Sequence, residues 1–270
     1  MNLPDLNPDH ASSMIAASLR TAGMSALSYN TMRLSPSIID GIDSKVDVPV
    51  EKDEAVEKAV RQCTKQWKRL ADFSVSETYN LYSSLDLPIF GPSKIDLVLQ
   101  RLLRIPHEET CDVSLYISAL IQKSYDAGNN GFVLHTQDVP LNNLCSRVKG
   151  SEGSEEKRLN IRIYGDTGNY TGSSSRWCSV IHEGNAGNFY FHMAYSDKLF
   201  ISGMIGEAPL RAAEYIVMNM ANKDAFHLAI KKIKELPTTS INKRSFCFVD
   251  SAGKALETWH DSNIYKKGLE

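Results

Sequence analysis

Cys178 and His182 are residues whose types and spacing suggest covalent chemistry. A cysteine beside a histidine can act as a nucleophile in acyl transfer, because the imidazole removes the thiol proton. Both belong to the strand-like run Cys178-Ser179-Val180-Ile181-His182-Glu183, in which residues four apart point to the same face. Their Cα atoms would then lie about 13 Å apart, too far for a direct hydrogen bond. This pair alone therefore does not make a nucleophile.

A histidine from a neighbouring stretch could complete the site instead. His192 or His135 is the candidate base for Cys178, and Asp138 or Glu183 is the candidate carboxylate that orients it. This alternative predicts a cysteine-dependent hydrolase or acyltransferase and requires an accessible thiol with an imidazole nitrogen in hydrogen-bond reach. The other interpretation is a buried structural thiol, since free cysteine is among the most often buried residue types.

Metal and nucleotide chemistry find little support in the motifs. Cys145, Cys178, His182 and Cys247 are suitable zinc ligands, but no two of them have the close spacing that marks zinc sites in sequence. Asp166 alone supplies too little negative charge for calcium. Neither a phosphate-binding loop nor a dinucleotide-binding motif occurs between a strand and a helix. We therefore expect no metal and no cofactor.

Aromatic residues concentrate in the middle of the chain, next to basic residues. If alternate members point outward, as in a strand, they form an exposed strip that can stack bases or sugars. The other interpretation is packing in the core and in turns. The binding candidates of this strip are Tyr170, Trp177, Tyr190, Arg162 and Arg176.

Composition argues against a membrane anchor and against a polyanionic partner. The 270 residues carry 30 Lys and Arg against 32 Asp and Glu, a formal charge of −2, so nucleic acid is disfavoured. The N-terminus lacks the pattern of a signal peptide, and no apolar run of about 18 residues occurs. The five cysteines are odd in number and widely spaced, which argues against a disulfide framework. A cytoplasmic protein is the expectation.

Helices are predicted in the N-terminal half. Residues 1–50 are expected to be loosely ordered apart from one short helix. From Glu51, apolar residues recur at three- and four-residue intervals and predict a helix of about twenty residues. The run Ser93-Lys94-Ile95-Asp96 has the form of a capping box for a second helix. A third is expected from about Asp112 to Tyr125, with Gly128 as its C-cap.

Three glycine tetrads follow, and they repeat at a constant interval along the chain. A fixed period near twenty is typical of a β-chain that coils and returns to the same corner on every turn. Glycine suits such corners because it reaches positive φ, and because turns about 4.8 Å apart leave no room for an inward side chain. The equivalent Asp166 and Asn185 are expected to bond backbone amides or form a ladder. The predicted corner residues are Gly165, Gly168, Gly184, Gly187, Gly203, Gly206, Asp166 and Asn185.

A strand-like run precedes each tetrad, and Ile161, Val180 and Leu199 would form one apolar ladder across the three runs. After the third tetrad, apolar residues at helical intervals predict a long helix over 207–235. Two apolar runs within 246–259, separated by turn residues, then predict a closing β-hairpin.

The stretch GDTGNYTGSSSRWCSVIHEGNAG, residues 165–187, resembles the glycine-rich β-helix module at the C-terminal end of glutamate synthase large chains and in one subunit of formylmethanofuran dehydrogenase. It is also similar to uncharacterised proteins, expected to be archaeal, with a comparable glycine, serine and cysteine pattern. The resemblance covers about residues 130–206 and implies a structural and packing role, with no catalytic residue to transfer. It departs after Gly206, which implies a stack of two or three turns with helices as caps.

These patterns together predict an α+β fold: an N-terminal helical segment, a short glycine-cornered β-helix or solenoid-like region with a 19-residue period, then a long helix and a β-hairpin. The predicted divisions are 1–50, 51–128, 129–206, 207–262 and a tail at 263–270. The leading functional hypothesis is a non-enzymatic scaffold or interaction module that binds a protein partner or another copy of itself. The alternatives are the cysteine-dependent enzyme and a single-stranded nucleic-acid binder that uses the aromatic strip.

Overall fold

The computed structural model describes residues 53–70, 74–105, 110–137, 139–153, 155–235, 243–251 and 253–262. Within these ranges the fold is mixed α and β, with five α-helices and one seven-stranded sheet that is mostly parallel. The α+β class is therefore confirmed. The predictions made for residues 1–50 and for the tail at 263–270 lie outside the described residues.

Four helices precede the sheet in the described chain. They are α1 (Glu54–Leu70), α2 (Val75–Ser84), α3 (Pro92–Leu103) and α4 (Thr110–Asp126). In α3 the apolar residues recur at three- and four-residue intervals, and Ile95, Val98, Leu99 and Leu102 are all fully buried. Burying side chains of this size contributes about 1.5–3 kcal/mol each. The three helices predicted for this half correspond to α1, α3 and α4.

Two local features of these helices differ from the prediction. The capping box predicted at Ser93 is wrong: α3 begins at Pro92, with Gly91 as its N-cap and no side-chain cap. Proline suits that position because its missing N–H would have had no partner in the first turn. A real capping box opens α2, which was not predicted. There Glu77 N–H donates to Ser74 Oγ at 3.3 Å, and Ser74 N–H donates to a Glu77 carboxylate oxygen at 2.8 Å.

The sheet contains its strands in chain order, and the first six are parallel. They are β1 (Gly131–His135), β2 (Leu159–Tyr164), β3 (Cys178–Glu183), β4 (Lys198–Ile201), β5 (Ile216–Met220), β6 (Lys243–Val249) and β7 (Ala255–Ser262). From β2 to β5, paired residues are 19 apart in sequence. Ile161, Val180 and Leu199 are partners in this register and are buried, so the predicted apolar ladder is present.

A second set of short parallel pairings accompanies the strands. Thr167 pairs with Ala186 and Ala186 with Ile205, and Arg176 pairs with Tyr195 in the same 19-residue register. An earlier stretch, which begins at Leu141, pairs with the first of these segments. We call the four stretches 141–150, 167–177, 186–196 and 205–215 the turn rows.

The helix predicted over 207–235 is wrong in its first half. The last turn row continues to residue 215, Ile216–Met220 is β5, and only Lys223–Lys234 is helical, as α5. Leu210 and Ala213 recur at helical intervals, but both are fully buried within the last turn row. The 19-residue repeat therefore extends one step beyond the third tetrad.

The tetrad glycines lie where successive rows touch. A Cβ added to Gly184 would meet the Gly165 carbonyl oxygen, and one added to Gly187 would lie 2.6 Å from the Gly168 carbonyl carbon. Gly203 stands in the same relation to the Gly184 carbonyl. Close approach of backbones is therefore what requires glycine here. Positive φ, the other predicted reason, occurs among the six tetrad glycines at Gly165 alone, with φ 94°.

Residues other than glycine occupy left-handed positions in the turn rows. Tyr170, Phe189 and Ala208 stand at equivalent places and have φ values of 60°, 58° and 48°. This conformation costs roughly 1–2 kcal/mol for a residue with a Cβ. Hydrogen bonds between rows offset the cost: Tyr170 N–H donates to the Asn188 carbonyl at 2.8 Å.

Polar side chains also link the rows. Asn185 N–H donates to Asp166 Oδ1 at 2.8 Å, and the Asn185 side chain accepts in turn from the backbone N–H of Met204 at 2.9 Å. A second ladder of this kind, which was not predicted, runs through Asn142, Asn169 and Asn188. Its signal in the sequence is the asparagine that follows the second glycine in each of the first two tetrads.

Side chains of the helices cap the first strand and the first turn row. Asp96 accepts from His135 N–H at 2.8 Å, and Gln100 donates to the His135 carbonyl. On the turn side, Gln122 accepts from Lys149 N–H at 2.6 Å and donates to the Lys149 carbonyl at 3.1 Å. These backbone groups would otherwise form an open edge that invites association.

Within the described chain, residues 249–251 and 253–256 belong to one compact unit and the remaining residues to a second, larger one. In the smaller unit, the described residues form the turn between β6 and β7. Asp250 N–H donates to the Lys254 carbonyl at 3.0 Å, and Gly253 N–H donates to the Asp250 carbonyl at 2.9 Å. The helices and the turn rows belong to the larger unit.

Candidate interaction surface

Cys178 lacks the environment of a nucleophile. Its side chain is fully buried, and Sγ donates to the carbonyl oxygens of Arg176 and Val148 at 3.3 and 3.8 Å. Burial, with the nearby Asp197 carboxylate, raises the pKa of the Cys178 thiol well above its usual range. A catalytic cysteine needs the opposite, namely an accessible thiol with a lowered pKa. The structure therefore does not meet the condition on which the enzyme hypothesis depends.

His135 has a carboxylate partner, but not a predicted one. Its Nδ1 lies 2.9 Å from Asp96 Oδ2, and its ring stacks on that of Tyr164 with 5.0 Å between centroids. Of the two predicted partners, Glu183 is two strands away, because Tyr164 of β2 pairs with His135 on one side and with Glu183 on the other. Asp138 lies outside the described residues. Because Asp96 also accepts from the His135 backbone, this pair belongs to the cap on β1.

The three predicted catalytic residues are not brought together. His192 lies in the third turn row, edge-on to the rings of Tyr170 and Phe189 at 6.1 and 5.9 Å. His135 ends β1 on the outer face of the sheet, whereas Cys178 begins β3 on the buried face. Positions at opposite ends of such strands are about 15 Å apart. No thiol–imidazole pair results from this arrangement.

Arg162 is engaged on the outer face of the sheet. Its guanidinium forms an ion pair with Glu183 and lies 5.0 Å from the centre of the Tyr164 ring. A partly exposed pair of this kind contributes about 0–1 kcal/mol to stability. Arg162 therefore belongs to the strand face, and not to a strip with the aromatic residues of the turn rows.

Tyr190 is a correction to the predicted strip, because it is fully buried. Its ring lies 5.7 Å from that of buried His182, and within the described residues its hydroxyl has no hydrogen-bond partner. His182 Nε2 lies 3.0 Å from the Gly165 carbonyl. Burial lowers the pKa of His182, so the neutral imidazole donates this bond from Nε2. The interior next to the turn rows is therefore partly polar.

Asp197 is the acid of this polar interior. It is fully buried and accepts from Ser175 Oγ at 2.5 Å and from Cys178 N–H at 2.8 Å. Burial raises the pKa of Asp197 to about 7, against the opposing effect of these hydrogen bonds and of Arg158. Asp197 was not among the site residues predicted from the sequence. Its signal was its place in the repeat, since Cys178 occupies the equivalent position of the preceding repeat and Ile216 that of the following one.

The outward side chains of the turn rows form the candidate functional site, which we call the turn face. Among the described residues seven large apolar side chains are exposed, and Tyr170, Met193 and Tyr215 of this face are three of them, at 37%, 55% and 41%. Met204, at the third glycine corner, is a fourth. Exposed apolar groups are therefore concentrated on one repeated element, which is typical of an interaction site.

Aromatic contacts pass from row to row along the turn face. The rings of Tyr170 and Phe189 stack with 4.7 Å between centroids. Those of Trp177 and Tyr195 lie edge to face at 5.9 Å, and Tyr195 meets Tyr215 in the same way at 5.3 Å. Such pairs contribute about 0.5–1.5 kcal/mol each beyond the area they bury. The rings are therefore held in fixed positions relative to one another.

Basic side chains flank these rings. The Lys149 ammonium lies 5.3 Å from the centre of the Trp177 ring, and Arg176 and Arg211 are exposed. Tyr, Trp, Met and Arg are the residue types enriched at protein–protein interfaces. The turn face therefore has the composition of a surface that binds another protein.

Two further properties bear on function. Within the described ranges, no group of three or more His, Cys, Asp or Glu residues could hold a metal ion. No helix of the described chain has the length and apolar character needed to cross a membrane.

Comparison with known proteins does not indicate a function for this chain. No protein-family model, no curated protein and no solved structure matches this chain. The resemblance of residues 165–187 to the glutamate synthase module accordingly stays a prediction.

Proposed function

We propose that this protein is a non-enzymatic interaction module, built on a short β-solenoid, whose turn face binds a protein partner. The observation that carries the proposal is that Tyr170, Met193 and Tyr215, all exposed, lie on successive turn rows. Large apolar side chains exposed on one repeated element are typical of a surface that a partner covers.

Two sets of pairings support the β-solenoid. Strands β2 to β5 and the last three turn rows share one 19-residue register, so each repeat contributes a strand and a turn row in alternation. Glycines at the corners allow the backbones of successive repeats to approach closely. A stack of this kind is a rigid platform, which lowers the entropic cost of binding.

Nucleic acid is a weaker candidate for the partner. Base stacking needs open ring faces, but Trp177, Tyr195 and Tyr215 pack edge to face against one another. The formal charge of −2 supplies no general attraction for phosphates. The turn face therefore suits a protein surface better than a single strand.

Capture of partners with matched variants tests the proposal. The full chain, carrying an affinity tag, is compared with Met193→Glu on the turn face and with Ile89→Glu as the control, since Ile89 is 60% exposed just before α3. A charge buried at the centre of an interface costs about 2 kcal/mol or more, so we expect Met193→Glu to weaken capture by about 30-fold. Ile89→Glu should capture the same proteins as the wild type.

Two outcomes would contradict the proposal. One is equal recovery of every partner by the wild type and by folded Met193→Glu. The other is the absence of any protein enriched by the wild type over the tag alone. Circular dichroism and melting temperatures of the three proteins establish that the variants are folded.

A further inference from the structure

The turn rows end before the strands do. The sheet continues through β5, β6 and β7, whereas the turn rows end at residue 215. After β5 the chain enters α5, with Asn222 as its N-cap, and does not form a further row. The last row therefore has one edge that no other described row covers.

The pattern of hydrogen bonds between rows shows what this edge offers. In the second row, Tyr170 and Ser174 donate their N–H groups to carbonyl oxygens of the third row, both at 2.8 Å. In the third row, Phe189 and Met193 donate to the carbonyl oxygens of Glu207 and Arg211 in the same manner, at 2.8 and 2.9 Å. Each row thus presents these two donors, four residues apart, to the row that follows it, together with a third, which is Trp177 in the second row and Ser196 in the third.

Ala208 and Ala212 are the equivalent donors of the last row. Their φ values of 48° and 55° match those of the donors in the earlier rows, so their N–H groups have the same orientation. Within the described chain neither N–H has a hydrogen-bond acceptor. Ala212 is exposed and Ala208 half-buried, so both positions lie near solvent.

Cations surround this edge. Lys232 Nζ from α5 donates to the Gly206 carbonyl at 3.3 Å, and Arg244 from β6 donates to the Leu210 carbonyl at 3.3 Å. Arg211, in the same row, is exposed. Over the last row and α5 together, five cations (Arg211, Lys223, Lys231, Lys232 and Lys234) stand against three carboxylates (Glu207, Glu214 and Asp224). Amide donors together with an excess of cations favour an acceptor-rich, acidic ligand.

We propose that this open edge, formed by Ala208, Ala212 and the cations near them, binds an extended acidic peptide segment by adding it as one further row. Peptide carbonyls accept from the two N–H groups, and acidic side chains pair with Arg211 and Lys232. A second copy of this chain is a poorer occupant, because the first turn row, which would have to supply the acceptors, is capped by Gln122. The proposal rests on the interaction function above but uses the outer edge of the last row, which shares Arg211 with the turn face.

The test uses the full chain and a fluorescein-labelled octapeptide of alternating Glu and Thr, with Lys in place of Glu in the matched peptide. We expect binding of the acidic peptide to be about tenfold tighter than that of the basic one, since the charges at the edge select between them. Arg211→Glu should weaken binding about fivefold or more, whereas Arg61→Glu, exposed on α1, should leave it unchanged.

Hydrogen exchange measures the pairing of the peptide backbone with the last row directly. With the acidic peptide bound, exchange of the Ala208 and Ala212 amide hydrogens, followed by NMR, should slow about tenfold or more, because both become hydrogen-bonded. Equal affinity for the two peptides, or binding that leaves these amides unprotected, would overturn the proposal. Tyr170→Glu, which lies two rows away from the open edge, separates the two surfaces: it should keep peptide binding while it weakens capture of the partner of the turn face.

Discussion

Helices α1 to α4 and the 19-residue repeat, which comprises strands β2 to β5 and the turn rows between them, are stabilised in partly different ways. In the helices, large apolar side chains supply the cohesion: Leu99, Leu102 and Leu120 are fully buried, and Tyr82 meets Tyr116 edge to face at 5.1 Å. The repeat also buries apolar side chains such as Ile161, Val180 and Leu199, but it adds close backbone contacts, asparagine ladders and hydrogen bonds between rows. Its interior also contains the buried titratable side chains His182 and Asp197.

This difference predicts different tolerance to substitution. A helix core accepts another apolar side chain of similar volume at a cost below about 1.5 kcal/mol. A glycine corner accepts no added side chain, since the neighbouring atoms are backbone and cannot move aside separately. The turn face can therefore vary on its outward side while the corners beneath it stay fixed.

Asp197 provides the largest expected effect, through pH. Its pKa is about 7 in the folded protein and about 3.8 unfolded, so the folded state binds the proton more tightly. This contribution to stability is fully present below about pH 4 and is lost as pH rises through about 7. The Asp197→Asn variant does not lose this stability as pH rises, because the amide does not ionise. Its unfolding free energy, relative to the wild type, should therefore rise by roughly 2–4 kcal/mol between pH 4 and pH 8.

Urea unfolding of both proteins at pH 4, 6 and 8 measures this difference. His182 acts in the opposite direction, because its lowered pKa makes the folded protein gain stability as pH rises toward 6.5. That effect is common to both proteins and cancels in the comparison. Asp86→Asn, on an exposed side chain, controls for the loss of one negative charge. A difference that stays constant across the three pH values would refute the prediction.

Gly184→Ala tests the glycine corners directly. The added methyl group would collide with the Gly165 carbonyl of the preceding repeat, so we expect a loss of about 1–3 kcal/mol in unfolding free energy. Gly131→Ala is the matched control, because no heavy atom lies within 4 Å of a Cβ added there and its φ is not positive. Thermal and urea unfolding of the two variants should separate them clearly. Equal stability would mean that the rows can spread apart without cost.

The 19-residue repeat was predictable from the sequence up to the third tetrad, because the glycines occur where the backbones of successive repeats are in close contact. It failed beyond Gly206 because the next corner position in the same register, one repeat after Gly203, is Asn222 and lies at the start of α5. Without a glycine there, the apolar residues Leu210, Ala213 and Ile216 fit a helix as well as a row. Periodicity alone does not separate these two structures.

The candidate site was predicted less well, for a physical reason. Tyr170 and Tyr190 occur in the same aromatic run, yet one is exposed and the other fully buried. Alternation by two applies to a regular strand, but left-handed residues such as Phe189 interrupt it within the turn rows. Within the turn rows, the backbone conformation decides which side chains point inward and which point outward. Residue types other than glycine do not predict that conformation.

Asn169→Ala gives the smallest expected effect and tests whether the asparagine ladder stabilises the turn rows. The substitution removes the acceptor that Asn188 N–H uses at 2.8 Å, so we expect a loss of about 0.5–1.5 kcal/mol in unfolding free energy. Asn219→Ala, on the half-exposed face of β5, is the control and should cost less. If the two variants are equally stable, water replaces the ladder bond without loss. The rows would then be held by their backbone bonds and glycine corners alone, and the ladder would serve only to fix their register.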